Sequence, residues 1–580
     1  MRSTVCMVVI WVLGASGCSQ TSTEAVGEGS GGSTTPQGAT TTGGAAGVGA
    51  GPGRAGAAQG GAVPPPADED FSPRYGRYGE AENTFILERP AGDSPRLRYD
   101  DLVSELPEVD WQQLDRLYLP AGEYDSIYLG GLPERSAERP LVVTNWGGQV
   151  KIGGGGVGYN LSLQGGSNWI LTGRYDPDSG TGDSEFRGHA EGTFAHSQGS
   201  YGIFVDDAFS QTGLSGIYIG SFASDFELDC LEITRAEFAG ISAKTDDEGG
   251  ATMKNVRMHD VYIHDVGSEG IYFGSTQAQP QHAFEGLQIY DNRIVRTGTE
   301  ALQVGQLGDD CEIHHNVIGP GAIRFRSAFQ TYQDGNVQLG QRYGSSHFHH
   351  NVVVGAGDLF VEFFPTAVDS DPHGVSDTVT FSDNYFADTS QAAVYTHATA
   401  NSVSVHFVEN AFRGFFFNYD EVYPDKSEPG AIFSIGSNTE NPHLLRDNVF
   451  DAPWPFLQWS FPSVTEQGNS ARQLSPLRFF DFINPDIEGN FRLLEWWTDT
   501  ATLHPDNPPV IYEAGSFVMH EGSLYEAVEQ NSGEPPGKSS AWRQLAPPAD
   551  DARVVGPGSA SADYPGTSGV LGVRWPPPVQ

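Results

Sequence analysis

The chain has 580 residues, 38% of them hydrophobic, enough for a sizeable core, and its 73 Gly and 37 Pro favour turn-rich β architecture over helices. With 74 acidic against 32 basic residues the formal net charge is −42. That balance argues against nucleic-acid binding and would repel polyanions except where local basic residues override it.

Met1–Gly17 carries an Arg, an apolar run over 5–13 and the small residues ASG before Cys18. The pattern resembles a bacterial lipoprotein signal, which implies lipidation of Cys18; an ordinary cleaved secretion signal is the alternative. Residues 19–70 are mostly Gly, Ala, Ser, Thr and Pro, ending near PPP (64–66), and cannot bury enough surface to offset their entropy. They are expected to form a disordered tether. No other segment is apolar for about 18 residues, so membrane contact is expected only through a lipid anchor.

The body, 71–500, is marked by a recurring motif of an acidic residue or His, then Asn, any residue, and an apolar residue. It reads DNRI (291–294), HNVI (315–318), HNVV (350–353), DNYF (383–386), ENAF (409–412) and DNVF (447–450). The intervals between Asn292, Asn316, Asn351, Asn384, Asn410 and Asn448 are 24, 35, 33, 26 and 38 residues, too irregular for helical repeats but natural for coils with variable loops. Asn tolerates left-handed backbone, and its amide can bond the amide of the next coil, so the motif predicts a stacked ladder at a strand bend. HDVYI (259–263) and DCLEI (229–233) continue the register upstream without the Asn.

Each motif is followed by a short strand of period two, such as GISA (240–243), GIYFG (270–274), ALQVG (301–305), NVQLG (336–340) and AVYT (393–396). Over about residues 110–455 this repeat resembles the right-handed parallel β-helix of pectate lyases, pectinesterases, and alginate and chondroitin lyases. The resemblance is specific for fold and not for reaction. Cys230 and Cys311 fall three coils apart; at about 4.8 Å per coil that is about 14 Å, too far for a disulfide. Both are expected to pack as small apolar residues.

Side chains in one column of successive coils form a stripe from which a site can be assembled. Aligning AGISAKT (239–245), EGIYFGS (269–275) and EALQVGQ (300–306) puts Glu269 over Glu300 and turns Ser242, Tyr272 and Gln303 outward together, with Lys244 at the end of the first strand. Two carboxylates about 5 Å apart suit a retaining glycosidase, because close like charges raise one pKa and leave an acid beside a nucleophile. They suit Ca²⁺ equally, or are solvated turn residues. Lys244, one of only five Lys, is followed by Asp246 and Asp247, a second weak place for Ca²⁺. As β-helix lyases do, Lys244 could abstract a proton beside a uronate carboxyl that Arg324 or Arg326 neutralises; a surface ion pair is the plainer reading.

Other signals are weaker. Asp176, Asp178 and Asp183 form an oxygen-rich loop without EF-hand spacing. DPHG (371–374) resembles the DPHD motif of alginate epimerases, but Gly374 replaces its last Asp, which argues against epimerisation. In the pairs His314–His315 and His349–His350, neighbouring side chains should point apart on the coil, which argues against a shared metal.

Residues 505–547 contain Tyr512, Gly515, Val518, Gly522, Tyr525, Ala527, Pro535 and Trp542 in an order resembling carbohydrate-binding module family 5/12, found in chitinases and cellulases. The resemblance implies that Tyr512, Tyr525 and Trp542 present aromatic faces to pyranose rings. The alternative is that these rings are the core of a three-stranded module. Where chitin-binding members carry a Trp pair after Tyr-x-Ala, this chain has Val528 and Glu529. A Pro- and Gly-rich tail occupies 548–580.

The sequence thus predicts a secreted or cell-surface, all-β, monomeric protein: a parallel β-helix solenoid with a small C-terminal β module and a polysaccharide partner. Hydrolysis of O-glycosyl bonds by Glu269 and Glu300, with Tyr272, Gln303, Arg324 and Arg326 binding substrate, is the leading expectation. Elimination from a polyuronate with Lys244 as base and Ca²⁺ assisting, and a non-catalytic glycan-binding adhesin, are the alternatives.

Overall fold

The computed structural model describes residues 81–545, with breaks in connecting segments such as 174–200, 244–251, 275–281, 325–334, 366–376, 397–402, 416–432 and 472–493, and also Leu571–Gly572. The signal with Cys18, the tether, Lys244, Asp246, Asp247, Arg326, the loop with Asp176, Asp178 and Asp183, and DPHG (371–374) lie outside the described residues.

Parallel strands dominate. Among the described residues they build a 23-stranded and a 14-stranded sheet in which each strand pairs with its counterpart on the next coil, the arrangement of a parallel β-helix. One coil shows the plan: Arg257–His259, a bend at Asp260, Tyr262–Val266, and then Ile271–Phe273 in the second sheet. The inward column of the first face is Leu171, Leu228, Met258, Ile289, Ile313 in register, continuing as Phe348, Phe381, Phe407 and Leu445. All are buried, and Phe381 stacks on Phe407 with ring centroids 4.5 Å apart. The hydrophobic effect therefore holds the solenoid through a continuous axial core, each coil covering its neighbour.

The bend explains the repeat. Asp260, Asp291, His315, His350, Asp383, Glu409 and Asp447 all have φ between 54° and 58°, the left-handed region that Asp and His enter more readily than most residues. Val261 follows Asp260; after each of the others the next residue is the ladder Asn. Asn351 Oδ1 accepts the backbone N–H of Asn316 at 3.0 Å and its Nδ2–H at 2.9 Å, while Asn351 Nδ2 donates to Ile313 O and to Asn384 Oδ1. The pattern runs unbroken from Asn292 to Asn448 and ends on Asn469, which the motif missed because Gly468 supplies the left-handed bend with no acid or His. Glycine is also needed where the chain enters the second sheet, since a Cβ on Gly270 would lie 2.3 Å from Ile294 Cγ2. Cys230 and Cys311 are buried and unbridged.

The bend column has a pH consequence at Asp383. Burial pushes its carboxyl up from 3.8 to about 7, with Glu409 on the next bend adding to the rise against a hydrogen bond from Ser382. Between those values the folded state keeps a proton that the unfolded chain has released, so stability falls as pH rises through that window. Asp383→Asn should remove this component: relative to the parent, its melting temperature should improve progressively from pH 4 to 8. Parallel curves would contradict the assignment.

The C-terminal sheet has four strands, Glu495–Trp496, Phe517–His520, Ser523–Ala527 and Trp542–Gln544; the first lies upstream of the segment whose aromatic pattern marked the module. It rests on the β-helix. Trp496 N–H donates to Ile323 O, its ring meets Phe209 edge-on at 5.6 Å, and Arg324 lies 5.3 Å over it. Ile323, Leu494, Met519 and Leu524 form a shared apolar cluster beneath. No helix among the described residues is long and apolar enough to cross a membrane.

Candidate functional site

The second sheet confirms the predicted columns. Ile241, Ile271 and Leu302 are in register, which places Ser242, Tyr272, Gln303 and Gln338 in one stripe and stations Glu269 one coil from Glu300. The backbone agrees: Gly240 N–H donates to Glu269 O and Gly270 N–H to Glu300 O, both at 2.9 Å. Solvated turn residues these are not. Glu269 is 1% exposed and Glu300 0%, and Tyr272 and Gln303 are also buried.

Arg324 lies on the same turn, its backbone N–H bonded to Gly298 O, two residues before Glu300 in the neighbouring coil. Its guanidinium donates to Gly267 O at 2.9 Å, contacts Glu237 at 3.4 Å and covers Trp496. It is thus engaged in joining module to solenoid, which differs from the expected free substrate clamp. The structure therefore brings Glu269, Glu300, Tyr272, Gln303 and Arg324 together, with Arg324 in a different role.

The module rings are placed inside rather than on its surface. Tyr512, Tyr525 and Trp542 are 1%, 9% and 7% exposed and share a core with Val510, Val518, Ala527 and Ala541. The Tyr512 hydroxyl accepts the Thr498 N–H at 2.8 Å, and Trp542 Nε1–H donates to Glu534 O at 2.6 Å. Such bonds satisfy the polar ends of Tyr512 and Trp542, and burial keeps all three rings from presenting an open stacking face. Replacing Trp542 by Ala would empty that core, so lost glycan retention in such a variant would report unfolding rather than a lost platform.

Sequence reading missed a second, buried group, on the side of the larger sheet that faces away from the axial core. His259 Nδ1 is 2.7 Å from Asp260 Oδ2, and its Nε2 is 3.0 Å from Glu227 Oε1 and 3.9 Å from Asp229 Oδ2. Five residues on, the pattern repeats: His264 Nδ1 is 2.6 Å from Asp265, and Nε2 3.1 Å from Glu232. All are buried. The left-handed φ of Asp260 (54°) and Asp265 (55°) is the cause, because it swings each carboxylate back beside its predecessor where a strand would point them apart. Though burial opposes it, both imidazoles are raised above their ordinary pKa, His259 by its electrostatic interaction with Tyr290 and its hydrogen bonds to Asp260 and Glu227, and His264 by its hydrogen bonds to Asp265 and Glu232. Burial would raise Asp265 too, but Arg296, bonded to it through two nitrogens at 2.7 and 2.9 Å, and His264 hold it well below the usual carboxylate range.

The same bend corrects the expectation for the histidine pairs. His314 and His315 converge, Nδ1 to Nδ1, at 2.8 Å, and His349 and His350 at 2.9 Å; the pairs stack on each other, His314 over His349 and His315 over His350, each at 4.9 Å. The stack continues through Tyr290 to His259. The signal was present in the sequence as HD, HD, HH and HH before the repeat positions, but only the bend conformation gives it meaning.

No family model matches the chain, and no curated protein matches it. Among solved structures it is similar to tailspike protein 2 of bacteriophage CBA120 (11% identity, TM-score 0.34, 57% of this chain and 43% of that one). It is also similar to an alginate lyase from Paenibacillus sp. str. FPU-7 (14%, TM-score 0.29, 62% and 100%) and to pectate lyase Pel9A (9%, TM-score 0.32, 65% and 80%). The chain thus spans less than half of the tailspike domain. The class the coordinates define is a parallel β-helix protein with a docked C-terminal β module.

Proposed function

We propose that this is an extracellular polysaccharide-processing enzyme, a glycoside hydrolase whose acid and nucleophile are Glu269 and Glu300. The observation that carries the reading is the register that holds these carboxylates one coil apart beside the polar stripe of Tyr272, Gln303 and Gln338. A coil spacing of about 4.8 Å matches the roughly 5 Å separation at which one carboxyl protonates the leaving oxygen while the other attacks the anomeric carbon. Hydroxyl and amide side chains alongside suit a hydroxyl-rich ligand. Both carboxylates are buried in the structure, so activity on a glycan is the decisive observation. A charge of −42 favours a neutral or weakly charged glycan.

Purified protein should be screened against neutral and anionic polysaccharides, read by new reducing ends and by absorbance of unsaturated products. Reducing ends without unsaturation support hydrolysis. Unsaturated ends would move the reading to elimination, and retention of a glycan without cleavage would leave a binding protein.

A further inference from the structure

We propose that Glu227, Asp229 and His259 bind one divalent transition-metal ion, of the Zn²⁺ or Mn²⁺ class, on the face of the solenoid formed by the larger sheet. One ligand atom from each of the three lies within 4.8 Å of the other two, and all three side chains are buried. Bonds of about 2.1 Å put ligands at right angles about 3.0 Å apart and tetrahedral ones about 3.4 Å apart. The observed 3.0 Å from Nε2 to Glu227 meets the lower value and the 3.9 Å to Asp229 exceeds the upper one, so a small movement of the Asp229 side chain brings all three into bonding range. The other imidazole nitrogen faces Asp260 at 2.7 Å, as metal-bound histidines commonly face an orienting carboxylate, and Tyr290 stacked 4.7 Å away fixes the ring plane. On binding, Nε2 exchanges its proton for the ion.

The twin cluster at His264 supplies an internal control, because it repeats the imidazole, the preceding-coil Glu and the bend Asp but differs at two positions. Thr234 stands beside His264 where Asp229 stands beside His259. On the next coil Arg296 follows Val295, the partner of His264, whereas Asp291 follows Tyr290, the partner of His259. Around His264 an arginine thus balances the carboxylates with fixed charge; around His259 the corresponding changes add two carboxylates. Charge and donor number therefore single out the first cluster for a cation. An imidazole among the donors disfavours Ca²⁺, which takes oxygen ligands.

The test uses untagged full chain stripped with chelator, then equilibrated with Zn²⁺, Mn²⁺ or Ca²⁺, with bound metal measured after dialysis and melting temperature recorded in parallel. One Zn²⁺ or Mn²⁺ per chain, with a raised melting temperature, is expected. Asp229→Asn and His259→Gln should abolish both effects, Asp260→Asn should weaken affinity by about 10- to 100-fold, and His264→Gln should leave the bound ion in place. Asp229→Asn keeps the side-chain shape and decides the matter if His259→Gln fails to fold. Absence of binding, or an ion that persists undiminished in Asp229→Asn and moves instead with His314→Gln or His349→Gln, would overturn the proposal. Because the readout is bound metal on the other sheet, its failure is distinguishable from failure of the hydrolase reading.

Discussion

Glu300→Gln is expected to lower turnover on the polysaccharide that the native protein cleaves by on the order of 100-fold or more, with the melting temperature little changed. An amide of the same shape neither donates a proton as an acid nor attacks as a nucleophile, so chemistry is lost while packing is kept. Glu269→Gln should behave alike, and the double variant should be little worse than either single one, because the two act as a unit. The outcome separates mechanisms. If turnover survives both changes but collapses in Lys244→Ala, the reaction is an elimination and the buried pair is structural. In the corresponding Ala variants added azide separates the roles, because a glycosyl azide of inverted configuration marks loss of the nucleophile and one of retained configuration marks loss of the acid.

The second large effect concerns stability. Asn351→Ala is expected to cost about 3–5 kcal/mol, because it deletes two donor bonds, to Ile313 O and Asn384 Oδ1, and removes the acceptor of both the N–H and the Nδ2–H of Asn316. Each lost hydrogen bond is worth about 1 kcal/mol net, so the four together come to about 4 kcal/mol, with the buried groups left unmade setting the upper end. Asn469→Ala should cost clearly less. It ends the ladder, is only part-buried, and among the described residues its amide donates to Leu445 O alone. Urea midpoints of the two variants against the parent test this directly. Equal midpoints for Asn351→Ala and the parent would show that the ladder follows the fold without stabilising it.

Much of the solenoid was legible in the sequence. Period-two strands, the recurring Asn and the coil register came straight from residue pattern, because strand alternation and the left-handed tolerance of Asn and Asp are local properties. The register in turn aligned Glu269 with Glu300 and Tyr272 with Gln303, and separated Cys230 from Cys311. What the pattern could not yield was side-chain direction at the bends and burial. Treating His314 and His315 as strand neighbours pointed them apart, whereas a φ near 55° at His315 brings their rings together. The same geometry assembled Glu227, Asp229, His259 and Asp260 from two coils, a cluster with no linear signature.

Burial had a different origin. The aromatic order of the C-terminal module fits either a surface platform or a core, since the same Tyr and Trp spacing serves both. Packing of Tyr512, Tyr525 and Trp542 in one core, with the polar ends of Tyr512 and Trp542 satisfied internally, decided for the core. Likewise Arg324 was a free cation in the sequence and became a docking residue only when Trp496 settled against it. The sequence by itself determined the coil and its columns, which depend on local backbone preference. Only the tertiary structure decided which residues in those columns meet, because that depends on the hand of each bend and on what packs over it.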